Sequence, residues 1–146
     1  MADTRVQVEV EDWVRRHWMP EHFGESFYRE RVRLSSGGVF DFDAVNKDVS
    51  AVANISTSSA KTSGGKHAVG KVLKVRSDIY FLLLAEAKRR ICVLTEEDMY
   101  DFWIRERQAG RVPNSVEFSL VRLPAELRAT LMESQRKAAK EVSPKR

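Results

Sequence analysis

The sequence predicts a single α/β domain with one helix first, three strands next, and alternating helices and strands after them. Apolar residues recur at helical spacing near the start of the chain, alternate with polar residues over 27–57, and return to helical spacing near residue 69. The 146 residues suffice for one hydrophobic core, which predicts a single domain over 1–146. A meander followed by alternating helices and strands is typical of a sheet with helices packed on it.

The first half of the chain is predicted to form a helix and a meander. Val10, Val14 and Trp18 recur at helical spacing, and this helix is expected to end before Pro20. The strands predicted next are Phe27–Leu34, Val39–Val45 and Val49 to about Thr57, with the hairpin loop Ser35–Gly38 between the first two. The third of these strands is apolar enough to lie in the centre of the sheet.

The second half is predicted to alternate helices with strands. A helix is expected from about Val69 to Lys88, with Lys71, Lys74 and Asp78 on its solvent side. Its predicted buried face consists of Val72, Val75, Ile79, Leu82 and Leu83. The remaining predicted elements are a strand over Arg90–Leu94, a helix that opens at Thr95–Asp98 and stops at Gly110, a strand over Ser115–Arg122, and a helix from Pro124 towards Val142.

The net charge of +4 is modest, but its distribution along the chain is uneven. No acidic residue lies between Asp48 and Asp78, and this stretch carries five basic ones. These are Lys61, Lys66, Lys71, Lys74 and Arg76. A second basic region forms a C-terminal tail from about residue 137. The internal stretch is a candidate anion-binding surface, although such runs also occur on solvated faces.

The apolar runs and the cysteine content of the sequence predict the cellular compartment. The longest apolar run, Ile79–Ala85, is far too short to cross a bilayer, and nothing near Met1 resembles a signal peptide. Cys92 is the single cysteine, which excludes an internal disulfide and predicts a buried small side chain. We therefore expect a cytoplasmic protein without a membrane partner.

The segment Val39–Val45 is the most informative part of the sequence. Side chains alternate across a strand, so Phe40 and Phe42 should face one way while Asp41 and Asp43 face the other. Two aspartates on one strand face are costly unless they are solvated, paired or bound to a metal. The simpler interpretation is an exposed face whose carboxylates pair with arginines of the preceding strand, and it remains open here.

Over about residues 7–95, the order of elements and acidic residues resembles the restriction-endonuclease-like (PD-(D/E)XK) nucleases. In that family a helix supplies a glutamate, the second strand an aspartate, and the third strand an acid-x-lysine triplet. Gly37–Asp43 matches the aspartate strand, with Asp43 the better candidate, and Glu11 matches the helical acid ahead of Glu9 and Glu25. The resemblance implies a three-layer α/β/α core (αβββαβ) with a C-terminal strand and helix added.

The resemblance also implies a magnesium or manganese site and a nucleic-acid substrate, with DNA the expected class. Asp43 and Glu11 would bind the metal. The third strand departs from the family pattern, because Asn54 and Ser56 stand where the acid and the lysine belong. Asn54 would supply a neutral oxygen, and Lys61 in the following loop would stabilise charge on the phosphate. Family members often form dimers, so a homodimer or a partner protein is a further expectation.

Two alternatives stay open. The first is a catalytically degenerate relative that binds nucleic acid or a protein partner, with Lys61, Lys66, Lys71 and Lys74 as the expected nucleic-acid contacts. The second is a small P-loop-like nucleotide binder. Gly65–Val72 approaches the spacing of that motif, but Val72 replaces the hydroxyl residue that binds magnesium. The preceding Ser56–Thr62 segment could also form a phosphate-binding loop.

Overall fold

The computed structural model describes residues 4–62 and 65–142, and it is a mixed α/β fold with a five-stranded sheet. The helical elements are α1 (Arg5–Trp13), a π-helical turn (Val14–Trp18), α2 (Met19–Phe23), α3 (Val69–Leu84), α4 (Glu97–Gln108) and α5 (Ala125–Val142). The strands are β1 (Phe27–Arg33), β2 (Val39–Asn46), β3 (Ala51–Ser56), β4 (Arg89–Leu94) and β5 (Val116–Leu120). The predicted element order is confirmed.

The strands lie in the order β1-β2-β3-β4-β5, so every neighbour in the sheet is also a neighbour along the chain. β1, β2 and β3 form an antiparallel meander, and β4 and β5 continue the sheet parallel to β3. The prediction of a meander with a central third strand is confirmed. The parallel steps are possible because α3 and α4 provide the crossover connections.

Helices cover both faces of the sheet, because its central strands are apolar on both sides. Val52 and Cys92 face the layer formed by α3 and α4, whereas Ala53 and Ile91 face α1, α2 and α5. Burial raises the pKa of the Cys92 thiol, which agrees with its predicted role as a small core residue. Among the described helices, none is both long and apolar enough to cross a membrane.

The N-terminal helical segment does not end before Pro20 as expected. It passes through the π-helical turn, in which the Met19 N–H donates to the Val14 carbonyl five residues back, and continues to Phe23. A proline lacks an N–H and crowds the carbonyl of the preceding turn, so a widened turn directly before it removes the conflict. Gly24 then ends the helix with φ at 77°.

A β-bulge in β2 changes which way its side chains face. Tyr28 pairs with Val45 and Glu30 with Phe42, so Arg29 stands opposite both Asp43 and Ala44. The extra residue lets Phe42 and Val45 pack on the same side of the sheet, against α3. Simple alternation over the whole strand, as predicted from the sequence, is therefore wrong at this position.

The structure also corrects two details of α3. The helix ends at Leu84 rather than Lys88, and Asp78 is buried rather than solvent-facing. The predicted buried positions Val72, Val75, Ile79 and Leu82 are confirmed, with Leu83 partly buried beside them. Asp78 lies three residues after Val75 and four before Leu82, which places it on the same helix face as that stripe.

Asn46 holds the turn that joins β2 to β3. Its side chain is buried and donates to Glu25 at 3.1 Å and to Ser50 Oγ at 2.8 Å, while its oxygen accepts the Ala51 N–H at 2.9 Å. Val49 in this turn has φ at 60°, an unfavourable backbone angle for a β-branched residue. The turn keeps this conformation because the surrounding hydrogen bonds fix it.

Replacing Asn46 with alanine should lower the free energy of unfolding by about 2–3 kcal/mol. The substitution leaves the buried Ala51 N–H without its acceptor and removes two further side-chain hydrogen bonds. Urea denaturation measures the change, and Lys47→Ala, an exposed position in the same turn, is the matched control. Equal stability of the two variants would contradict the assigned role of Asn46.

Candidate active site at the separation of two strands

The candidate site lies where β2 and β3 separate. Only Ala44–Ala53 and Val45–Val52 pair between these strands, next to the connecting turn. Beyond them, β2 continues paired with β1 and β3 continues paired with β4. The separation leaves an opening in the sheet with Asp43 on one side and Asn54 on the other.

Asp43 bridges the opening. Its Oδ2 accepts the backbone N–H of Ile55 at 2.8 Å, taking the place of a β2 carbonyl in the ladder. The Asp43 carbonyl in turn accepts a hydrogen bond from Arg15 at 3.1 Å. Burial raises the pKa of Asp43, while the Ile55 N–H and the charges of Lys74, Arg29 and Arg15 lower it in part. The carboxylate is thus held in place but only partly compensated for its lost hydration.

Glu11, on α1, lies close enough to Asp43 for their charges to interact. Burial, followed by repulsion from Asp43, raises the pKa of Glu11 to about 7, against the opposing effect of Arg15, Arg29 and Lys74. A carboxylate whose pKa is raised by burial and by a second carboxylate gains from a nearby cation. The predicted pair, Asp43 and Glu11, is therefore brought together by the fold.

Asn54 and Ser56 follow Asp43 across the opening but face into the protein. Asn54 is buried on the α3 side, where its Nδ2 donates to the Asp78 carbonyl at 3.3 Å. Ser56 is partly buried, and its Oγ accepts the Ser58 N–H at 3.2 Å. Asn54 thus lies beside the opening, and Ser56 contributes to the start of the following loop.

The described contacts of Lys61, Lys66 and Lys71 do not link these lysines to Asp43 or Glu11. The backbone N–H of Lys61 donates to the Asp98 carboxylate at 3.2 Å, which ties the loop to the start of α4. Lys66 and Lys71 are exposed at and after the end of this loop. Lys61 is not among the cations that act on the pKa of Asp43 or Glu11, whereas Lys74 acts on both.

The sequence predicts Lys74 only as a nucleic-acid contact and Asp78 only as a solvent-facing residue, and neither is predicted beside Asp43. They form an ion pair of 2.6 Å one helical turn apart, with the Lys74 side chain 71% exposed and that of Asp78 9%. Burial raises the pKa of Asp78, and the charge of Asp43 raises it further, so Asp78 lies within electrostatic reach of the opening. The position of Asp78 on the apolar face of α3 is the sequence feature from which its burial could have been predicted.

Asp41 does not share the environment of Asp43. It is exposed and forms an ion pair with Arg31 across the hairpin at 3.1 Å. Asp41 therefore follows the simpler interpretation of a solvated carboxylate that pairs with an arginine of the preceding strand. Asp43 differs because it sits in the bulge, where the strand leaves β3.

Asp43 and Glu11 at the opening carry oxygen ligands of the kind that hard divalent cations prefer. In the described part of the chain, no group of three or more His, Cys, Asp or Glu side chains is arranged to hold a metal ion. Mg²⁺, however, is commonly bound through one or two carboxylates, with water and substrate phosphate completing its shell. Asp43 and Glu11 provide such a pair, and the raised pKa of Glu11 favours a cation replacing the proton.

Seven backbone N–H groups in the described part of the loop before α3 already have acceptors. The N–H groups of Ala60 and Lys61 donate to Asp98, and that of Ser58 donates to Ser56. Bonds within the loop use the N–H groups of Thr62, Gly65, Lys66 and Ala68. A phosphate-binding loop needs such groups to point at the ligand. Gly70 and Lys71 already belong to α3. The geometry of the described loop residues therefore gives no support to the P-loop alternative.

Glu11→Gln should stabilise the protein at pH 8 by about 1–2 kcal/mol, after allowance for partial exposure. With its pKa raised from 4.5 to about 7, Glu11 binds a proton more readily in the folded state. Its contribution to stability is therefore fully present below pH 4.5 and is lost as the pH rises through 7. Gln mimics the protonated form, so the gain should grow between pH 5 and pH 8.

Urea denaturation at several pH values measures this gain. Glu9→Gln, an exposed position on the same helix, is the control and should show no such pH dependence. A gain that is constant with pH, or larger at pH 5 than at pH 8, would contradict the raised pKa of Glu11.

Comparisons of the chain with known protein families, with curated proteins and with solved structures find no match. The chemistry of the opening therefore rests on its own residues: two interacting carboxylates, a neighbouring lysine, and two arginines.

Proposed function

We propose that this protein is a nucleic-acid-directed phosphodiesterase that depends on Mg²⁺ or Mn²⁺. The observation that carries the proposal is the pairing of Asp43 with Glu11 where β2 separates from β3, with the charge of Lys74 acting on both. Buried acids that interact and lack full compensation reduce stability, and such groups concentrate at functional sites. Carboxylates beside a lysine are suited to a metal and a phosphate diester.

The order of elements supports the proposal. A helix, a three-strand meander, a helix and a parallel fourth strand follow one another, as the resemblance to the restriction-endonuclease-like nucleases implies. Asp43 lies on the second strand and Glu11 on the first helix, as that resemblance also implies. The finer assignment, a restriction-endonuclease-like core, is part of the proposal.

Each residue has a distinct proposed role. Asp43 and Glu11 would hold the metal, and Asn54 would offer a neutral oxygen. A metal held there would supply an activated water and neutralise charge on the phosphate. Lys74, rather than Lys61, stabilises the charge that develops on the phosphate oxygens. Asp78 pairs with Lys74 and keeps its ammonium group near the opening until a phosphate competes for it.

A second candidate function is binding without cleavage, and the third strand favours it. Asn54 and Ser56 lack the charge of the acid and lysine that an active family member carries there. The loss of one anionic ligand weakens the binding of a hard dication. We therefore expect cleavage with Mg²⁺ to be weak or absent and any activity to be more visible with Mn²⁺.

Metal binding has a direct test. Mn²⁺ should raise the melting temperature of the protein, because a ligand that binds only the folded state stabilises it. The shift should disappear in Asp43→Asn, shrink in Glu11→Gln, and remain in Asp41→Asn, a matched change two residues along the same strand. It should also grow from pH 6 to pH 8, because the metal replaces a proton on Glu11. An equal shift in Asp43→Asn would remove Asp43 from the metal site.

Cleavage is tested with Mn²⁺ on single-stranded, double-stranded and branched DNA and on RNA. Asp43→Asn should abolish cleavage, and Lys74→Gln should slow it by about 10²–10³ at saturating substrate. Lys61→Gln should have little effect, as should the control Lys88→Gln at an exposed position. A large loss of cleavage rate in Lys61→Gln, with none in Lys74→Gln, would show that Lys61 rather than Lys74 stabilises charge on the phosphate. Cleavage unaffected by Asp43→Asn would refute the site, and binding without cleavage across the panel would favour the second candidate function.

A further inference from the structure

Three arginines occupy alternate positions of β1, at the edge of the sheet. Arg29, Arg31 and Arg33 are exposed, whereas Val32 and Leu34 are buried against the α3 layer. Because side chains alternate along a strand, the three guanidinium groups lie on the opposite face, the face on which α1 and α2 pack. We name these residues the arginine row.

The residues opposite the arginine row on β2 compensate its charges only in part. Arg31 pairs with Asp41 across the hairpin, and Arg33 stands opposite Val39, which is 58% exposed. Both side chains of the Arg31–Asp41 pair are mostly in solvent, 68% and 56% exposed, so the pair is weak and open to competition.

One end of the arginine row reaches the candidate active site. Arg29 lies opposite the β-bulge that contains Asp43, and its charge lowers the pKa of both Asp43 and Glu11. Alternate residues of a strand are about 6.7 Å apart, so the row extends for about 13 Å from the bulge towards the hairpin tip. A linear array of cations thus leads to the two carboxylates.

We propose that the arginine row binds consecutive backbone phosphates of one nucleic-acid strand and guides that strand to Asp43. The inference rests on the proposed function and deepens it by placing the substrate along the β1–β2 hairpin. Guanidinium groups suit this task because they bind phosphate oxygens through two parallel hydrogen bonds and are weakly hydrated. The row differs from the lysine-rich stretch Lys61–Arg76, which lies on the opposite side of the sheet on and before α3.

Charges on an edge strand also prevent sheets from joining edge to edge. Edge protection requires charged side chains of any kind. It does not require three arginines on one face of the strand, nor that the row end beside two acids. The two roles predict different phenotypes. Loss of edge protection would cause self-association, whereas loss of phosphate contacts would change the salt dependence of binding.

The test measures the binding of a fluorescent single-stranded DNA by anisotropy over a range of salt concentrations, without divalent metal. The doubly substituted Arg31→Gln/Arg33→Gln protein should bind about tenfold more weakly at low salt, and its log–log salt slope should fall by about 1.4, two contacts at 0.7 each. Asp41→Asn should bind more tightly than wild type, because Arg31 loses its competing carboxylate. Arg29 is left unchanged because it acts on the acids of the site.

Two further double variants remove the same charge elsewhere. Arg136→Gln/Lys137→Gln on α5 is the matched control and should leave the slope unchanged. Lys66→Gln/Lys71→Gln tests the competing surface before and on α3. An unchanged slope in Arg31→Gln/Arg33→Gln, with or without self-association, overturns the inference while leaving the proposed function standing. Absence of any nucleic-acid binding by the wild-type protein overturns the proposed function, and the inference with it.

Discussion

The hydrogen bond from the Ile55 N–H to the Asp43 carboxylate is the contact on which the candidate site depends. β2 leaves β3 after two paired positions, so the N–H groups further along β3 that point away from β4 need acceptors other than a neighbouring strand. A side chain that reaches across from the departing strand satisfies one of them. The same contact fixes the carboxylate of Asp43 in a partly dehydrated position, where its charge acts on Glu11 from one side and Asp78 from the other.

The electrostatics around this contact follow from the layered arrangement of the fold. Acids approach the opening from α1, β2 and α3, and the cations that face them come from the N-terminal helical segment, β1 and α3. Each cation has part of its side chain in solvent, so it compensates the carboxylates incompletely. Burial is consequently the largest influence on the pKa of all three acids. Incompletely compensated carboxylates lower the free energy of unfolding, and a cation bound between them would offset that loss.

Much of the fold followed from hydrophobic periodicity, because long amphipathic helices and alternating strands leave a strong pattern. The meander, the central β3 and the pairing of Glu11 with Asp43 were expected on those grounds or from the family resemblance. The bulge in β2 was not, since nothing in Val39–Val45 distinguishes a regular strand from one with an extra residue. The continuation of the helix past Pro20 depends on a π-helical turn that no local residue pattern specifies.

The order of residues in the family motif did not predict which lysine acts on the acids of the site. The sequence predicts Lys61 for this role because it lies in the loop just beyond the third strand, whereas Ser56 occupies the position of the family lysine. Its loop is instead drawn to α4, where Asp98 accepts hydrogen bonds from Ser59, Ala60 and Lys61. Lys74 acts on the acids of the opening because α3 packs on the sheet beside β3. This placement depends on tertiary packing, which the spacing of residues along the chain does not reveal. Asp78 was visible in principle, since a carboxylate on an apolar helix face requires a partner.

The sequential strand order has a consequence for the chain while it is being synthesised. Glu11, Asp43, Asn54, Lys74 and Asp78 are all synthesised before any residue of β4. Until β4 arrives, β3 can pair only with β2, and five of its six residues, buried in the finished protein, border an open edge. At about 5–20 residues per second, the 33 positions from Ser56 to Arg89 take roughly 2–7 s to translate. During those seconds the edge of β3 that later pairs with β4 has no partner strand.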